Sequence, residues 1–205
     1  MPNVKALQAA TNFDPEMYKG RWFEIAGIKP DMQRNLVCTT CTLTPRKDGG
    51  FNVMDEALHH NFKGDYWSVA GKLTIPEKTV PSRMKLKLNL LSGIVRPTLD
   101  YIVLDVDDDY YYALVGNEKY CWILARDPVI DPALFAELRD KLASFGYDVS
   151  QLSITRQHVP KEGYRSYNKN PVDVPSPFFL RFFNCCFPAT VPSSPTSVAN
   201  KFNSQ

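Results

Sequence analysis

Two cysteines separated by two residues, Cys38 and Cys41, bring potentially reactive side chains close together in the sequence. A structural zinc site needs four ligands, and the sequence contains neither a second Cys-x-x-Cys pair nor a histidine at zinc spacing. A nucleophilic cysteine needs a thiol whose pKa is lowered, usually by a neighbouring cation, and no Lys or His stands obviously beside these two. We therefore predict no metal, no cofactor and no enzyme, and keep cysteine-dependent catalysis as an alternative.

Charge and composition exclude other classes of function. The 205 residues carry a net charge of +2, and the basic residues are scattered, so we expect no nucleic-acid partner. No apolar run approaches the roughly 20 residues of a membrane span, and the first ten residues are too polar for a signal-peptide core. We expect the protein to be cytoplasmic or peripheral at a membrane, and secreted only if a leader has been removed.

A series of short strands is predicted to position these side chains. Residues 84–90 alternate strictly, with methionine and leucine on one face and lysine and asparagine on the other, which is typical of a half-buried antiparallel strand. Asp-Gly-Gly at 48–50 predicts a hairpin turn. Eight strands are predicted in all, beginning at Gly20 and then at 36–44, 51–58, 66–75, 84–90, 101–106, 110–115 and 120–126. Short connections between them favour an all-β, up-and-down antiparallel barrel, which removes the sheet edges.

One helix is predicted over 132–145, with Pro132 in its first turn and Gly146 as its stop. Its apolar residues fall on one side, so the helix should pack outside the barrel: Leu134, Phe135, Leu138, Leu142 and Phe145. A short final strand is expected at 152–155. Barrel and helix should form one domain over 1–157, followed by a partly disordered extension at 158–205 that carries an aromatic segment at 177–187.

Three features together resemble the lipocalin family: Gly20-x-Trp22 at the first strand, the acidic turn 107–109 before the seventh, and Arg126 at the end of the eighth. The resemblance covers residues 13–157 and is greatest to the group of apolipoprotein D, bacterial lipocalins and plant temperature-induced lipocalins. It implies that Arg126 covers Trp22 at the closed end of the barrel.

Strand alternation and this resemblance together predict which side chains face the inside of the barrel and contact a ligand. The predicted inner residues are Cys41, Leu43, Val53, Asp55, Ala57, Leu86, Leu88, Leu90, Tyr101, Val103, Tyr120, Trp122 and Leu124, with His59 near the mouth. Asp55 is a polar exception in an apolar set. It is expected either to orient the ligand, together with Tyr101 and Trp122, or to be hydrogen-bonded to Tyr101 or water without a ligand role.

The resemblance implies a carrier for a small hydrophobic molecule: a fatty acid, lysophospholipid, retinoid, sterol, carotenoid or bilin. One alternative is an isomerase resembling prostaglandin D synthase, with Cys38 or Cys41 as a cavity nucleophile. Another is a pigment-binding protein that holds a bilin or carotenoid. We expect a monomer or weak dimer, and we expect transient membrane contact through 91–99 and 177–187, the latter segment with acylation at Cys185 or Cys186 as one possibility.

Overall fold

The protein is described from a computed structural model, in which residues 7–90 and 93–158 are placed. The predictions for the aromatic segment at 177–187, for Cys185 and Cys186, and for nearly all of the C-terminal extension lie outside the described residues.

The described chain is built mainly of antiparallel strands. Their bounds are β1 Gly20–Ile28, β2 Leu36–Pro45, β3 Phe51–His59, β4 Tyr66–Thr74, β5 Arg83–Asn89, β6 Thr98–Val106, β7 Tyr112–Gly116, β8 Cys121–Ala125 and β9 Ser153–Ile154. A four-residue helix, α1 (Pro15–Tyr18), precedes β1, and α2 (Pro132–Ser144) follows β8. Short 3-10 turns occur at Asp31–Gln33 and Val149–Gln151.

Strands β1 to β8 each pair with the next strand along the chain, and β1 pairs with both β8 and β2. The sheet therefore closes on itself, which confirms the predicted eight-stranded up-and-down barrel with a helix outside. Most boundaries differ by one residue, and the largest differences are at the starts of β6 and β7. Tyr110 lies in a turn with a positive φ of 57°, and β6 begins at Thr98, so the loop before it is shorter than predicted.

Helix α2 lies against the outside of the barrel. Asp131 caps its first turn by accepting hydrogen bonds from the backbone N–H groups of Ala133 and Leu134, and Gly146 takes up a φ of 91° just after its end. The five apolar residues predicted for one side of the helix all join a single cluster with the outer faces of β6, β7 and β8. Cys121 is fully buried there, as expected of a small apolar side chain.

The chain before β1 closes one end of the barrel. The backbone N–H of Ala10 donates to the Val103 carbonyl, and the Ser82 hydroxyl donates to the Ala10 carbonyl. Phe13 contacts the ring of Tyr18 edge-on, with the ring centroids 4.9 Å apart. The opposite end, where β1 leads to β2 and β5 leads to β6, has no such segment among the described residues and is called the mouth below.

Strands β1 and β2 pair over only four residues, 20–23 with 40–43, and then separate towards the mouth. The segment 153–157 fills this opening. On one side β9 pairs with β1, and the Thr155 N–H donates to the Ile25 carbonyl; on the other, the Cys38 N–H donates to the Arg156 carbonyl. The Gln157 side-chain amide donates to the carbonyls of both strands, so the wall of the barrel depends on a segment that follows α2.

Candidate ligand-binding site

Trp22 and Arg126 close the end of the barrel opposite the mouth. The Arg126 guanidinium carbon lies 3.6 Å from the centre of the Trp22 ring, which confirms the predicted cation–π contact. The guanidinium also donates hydrogen bonds to four backbone carbonyls, those of Met17, Lys19, Arg21 and Tyr110. Because each carbonyl comes from the α1–β1 region or from the turn before β7, Arg126 ties the closing segment to the barrel.

Most of the predicted inner residues lie on the inside of the barrel. Eight belong to the apolar cluster that includes Trp22: Cys41, Leu43, Val53, Leu86, Tyr101, Val103, Trp122 and Leu124. Strand register explains the set, since residues paired across neighbouring strands share a face and Cys41 lies opposite both Trp22 and Asp55. The alternate residues of β6 and β8 face α2 instead, which fixes the inside of these strands.

The remaining predicted residues lie towards the mouth. Ala57 is fully buried in β3 opposite Trp67, and Leu88 of β5 lies opposite Gly71 of β4, which in turn pairs with Val53. Leu90 lies one residue past the end of β5 and pairs with Val95 across the loop. Tyr120 likewise lies just before β8, with its ring 6.2 Å from that of Trp122. These four residues are not members of the apolar cluster that includes Trp22.

Several inner side chains are only half-buried: Cys41, Asp55, Leu86, Leu88 and Trp122 on the strands, and Leu90 and Tyr120 just beyond strand ends. Because these side chains belong to the inner face, we infer from their remaining accessible surface that there is space for a ligand inside the barrel. By contrast, Leu43, Val53, Val103 and Leu124 are buried against the closed end. We call the half-buried inner surface the lumen.

Two polar pairs lie at the closed end of the lumen, and we call Cys41, Asp55, Tyr18 and Tyr101 the floor. The Cys41 thiol is hydrogen-bonded to the Asp55 carboxyl group, and the Tyr18 and Tyr101 hydroxyls lie 2.6 Å apart. The hydrogen bond from Asp55 to Tyr101, one of the expected alternatives, is not found among the described side chains, where the Tyr101 hydroxyl is bonded to that of Tyr18 in α1.

Burial and neighbouring charges shift the pKa values of the floor residues. Loss of hydration raises the pKa of Asp55 to about 6, helped by the negative charges of Glu24 and Glu56 and opposed by the bond from Cys41. Burial and the Asp55 carboxylate raise the pKa of the Cys41 thiol well above its usual range. Burial also raises the pKa values of Tyr18 and Tyr101. Near neutral pH, Asp55 is therefore the group of the floor that changes charge.

Sequence reasoning did not name three residues that lie on the inner side of the barrel, Trp67, Glu24 and Gly27. Trp67 faces the lumen from β4 opposite Ala57, and the alternation of β4 would have indicated this. Glu24 shares the inner face of β1 with Trp22 and lies opposite Leu124. Gly27 is required next to Trp122, because a Cβ at that position would lie 2.8 Å from the indole Cδ1. Only the packed barrel reveals this last requirement.

Comparison with known proteins agrees with this geometry. Residues 13–157 match the family model described as a lipocalin-like domain. The chain belongs to the lipocalin family. Temperature-induced lipocalin-1 of Arabidopsis thaliana is 31% identical over 160 residues, which cover 77% of this chain and 86% of the relative. Outer membrane lipoprotein Blc of Escherichia coli K12 is 30% identical over 155 residues, 75% of this chain and 84% of that protein.

Apolipoprotein D of Bos taurus is also a relative, 25% identical over 154 residues that cover 71% of this chain and 78% of that protein. Among solved structures, insecticyanin of Manduca sexta superposes with a TM-score of 0.63 at 19% identity, covering 77% of this chain and 87% of insecticyanin. This likeness shows the lipocalin fold. Family membership supports the coarse assignment of small hydrophobic ligand binding, and it confirms the resemblance drawn from the sequence.

Proposed function

We propose that this lipocalin binds and carries one small hydrophobic molecule in the lumen. The observation that carries the proposal is that Leu86, Leu88 and Trp122, on the inner face of a closed barrel, are only half-buried, as is Leu90 just beyond the end of β5. Apolar surface facing an enclosed space favours an apolar occupant, at roughly 25 cal/mol for each Å² that the ligand removes from water. Fatty acids, lysophospholipids, retinoids, sterols, carotenoids and bilins all meet this requirement.

Two neighbouring residues of β5 provide the test. Leu88 faces the lumen, whereas Lys87 is exposed on the outer face. We expect Leu88→Gln to weaken binding of the apolar fluorophore N-phenyl-1-naphthylamine by about 5- to 20-fold. A buried amide without a hydrogen-bond partner costs roughly 1–3 kcal/mol, and the cost is towards the lower end here because residue 88 is only half-buried. Fluorescence titration measures the affinity.

Lys87→Gln is the matched control, because it introduces the same side chain one residue away on the opposite face. It should leave the affinity within about twofold of the original, as expected of an exposed substitution. Equal effects of the two substitutions, or no fluorophore binding by the original protein, would contradict ligand binding in the lumen.

The chemistry of Cys41 argues against its role as the nucleophile of an isomerase. A thiol attacks as its thiolate, and catalytic cysteines have lowered pKa values. Here burial and the facing Asp55 carboxylate raise the pKa of Cys41, so the thiolate is disfavoured near neutral pH. The same argument applies to covalent attachment of a pigment at Cys41. We therefore propose that Cys41 contacts the ligand without catalysis or covalent attachment.

We further propose that the mouth contacts a membrane surface during ligand exchange. In the described residues of the loop between β5 and β6, Ile94 is 84% exposed and Val95 is also exposed, as is Leu99 at the start of β6. Exposed apolar side chains at the rim, beside the cation of Arg96, suit the boundary between lipid headgroups and acyl chains. The described helices are each too short or too polar to cross a membrane.

Flotation with vesicles of phosphatidylcholine and phosphatidylglycerol tests the membrane contact. We expect Ile94→Asp to reduce the bound fraction several-fold, because it replaces an exposed apolar side chain with an anion at an anionic surface. The control is Ile154→Asp, an equally apolar residue that is 69% exposed on β9. A bound fraction that falls equally in both variants, or in neither, would contradict contact through the mouth.

A further inference from the structure

The floor of the lumen offers a ligand a hydrogen-bond acceptor but no available cation. The Asp55 carboxyl group faces the lumen, is half-buried, and receives only the weak hydrogen bond of the Cys41 thiol among the described side chains. An ionised carboxylate has about four acceptor positions, so Asp55 retains acceptor capacity that points towards the ligand space. The two tyrosine hydroxyls beside it are bonded to each other, which uses one of their two O–H protons.

The basic side chains near the lumen already donate hydrogen bonds to protein groups. Lys29 donates to the Glu24 carboxylate at 2.8 Å and to the Thr155 hydroxyl at 2.9 Å. Arg126 lies beyond Trp22 and donates to four backbone carbonyls. The described strands present no other Lys or Arg on their inner faces, since the lysines of β4 and β5 lie at the alternate, outward positions.

We propose that the ligand carries a hydrogen-bond-donating head, either a hydroxyl or a protonated amine, that contacts Asp55 at the floor while its apolar body lies along Leu86, Leu88 and Trp122. This inference rests on the proposed function and narrows it. A carboxylate head is rejected from the floor, because it would meet the negative charge of Asp55, while the nearest cations, Lys29 and Arg126, are already bonded to the Glu24 carboxylate and to four backbone carbonyls.

A series of probes with one chain length and three heads tests this proposal. Hexadecylamine, 1-hexadecanol and palmitate are used to displace N-phenyl-1-naphthylamine at pH 7.5. We expect the amine to bind about 10- to 100-fold more tightly than palmitate, the factor that corresponds to one charge-assisted hydrogen bond of 1.5–3 kcal/mol. The alcohol should fall between the two.

The decisive variant is Asp55→Asn, which keeps the shape and removes the charge. It should abolish most of the preference for the amine over palmitate, while the affinity for the alcohol changes by less than about threefold, since an amide oxygen still accepts a hydrogen bond. Removal of a carboxylate with a raised pKa should not unfold the barrel. Asp65→Asn, an exposed aspartate between β3 and β4, controls for the change in net charge.

The same probes also test how the affinity for the amine depends on pH. Between pH 5 and pH 7.5 Asp55 becomes ionised, so the affinity for the amine should rise about tenfold, as expected if binding needs the ionised form of a group with a pKa of about 6. The titratable and charged groups around Asp55 are Cys41 on β2, Glu24 on β1 with its partner Lys29, Tyr101 on β6, Tyr18 on α1 and Glu56 beside it on β3, and the charge of Arg126 acts on Cys41 and Tyr18. His59 lies on the same strand at the mouth and serves as a control. The dependence of amine affinity on pH should persist in His59→Gln and vanish in Asp55→Asn.

The outcomes separate the two proposals. If the fluorophore and all three probes fail to bind, the proposed function itself fails. If the probes bind with equal affinity, or if Asp55→Asn leaves their order unchanged, ligand binding stands and the assignment of the head group is overturned. An order of amine, alcohol and palmitate that depends on Asp55 supports the inference.

Discussion

Replacing Trp22 with alanine is expected to lower the free energy of unfolding by roughly 3–5 kcal/mol, the range for a large aromatic side chain removed from a core. Trp22 is completely buried, its indole N–H donates to the Tyr18 carbonyl at 2.9 Å, and its ring lies under the guanidinium of Arg126. The cavity left behind would therefore remove contacts from α1 and β8 at once. Urea denaturation followed by circular dichroism measures the change.

Trp122→Ala is the matched control, since it makes the same substitution at the other end of the lumen. Trp122 is half-buried and borders the ligand space, so part of its surface is already in contact with water. Its removal should cost clearly less stability than Trp22→Ala but should weaken fluorophore binding more. If the two variants lose equal stability, or if Trp22→Ala changes affinity more than stability, the division between a structural end and a binding end is wrong.

Features that depend on local pattern could be predicted from the sequence. The alternation of residues 84–90 assigned the two faces of β5, and the apolar side of the helix identified its contact with the barrel. The positions of Trp22 and Arg126 at opposite ends of the barrel sequence indicated their contact, but only through the family resemblance. In each case, one short stretch or one known motif carried the information.

Features that depend on contacts between distant segments were not predicted. The partner of Tyr101 proved to be Tyr18, which comes from a four-residue helix with no periodicity to assign its direction. Alternation placed Asp55 and Cys41 on one face, but their hydrogen bond depends on how the two side chains orient in the assembled barrel. The role of segment 153–157 in the wall likewise follows from the separation of β1 and β2, which strand pairing alone does not indicate.

That wall contains the buried ion pair of Lys29 and Glu24, and breaking it has the second large expected effect. The side chains are only 3% and 7% exposed, and Thr155 of the filling segment contacts both. Lys29→Met should lower the free energy of unfolding by roughly 3–5 kcal/mol, because it leaves the Glu24 carboxylate buried without its cation. Urea denaturation again measures the loss.

Two further variants separate loss of the cation from loss of the lysine chain. Lys85→Met breaks an exposed pair with Asp100, whose side chains are 48% and 38% exposed, and should cost no more than about 1 kcal/mol. In the double variant Lys29→Met with Glu24→Gln, most of the loss should be recovered, since no unpaired charge remains. A double variant that is as unstable as Lys29→Met would mean that packing of the lysine chain, rather than the charge of Glu24, holds this part of the wall together.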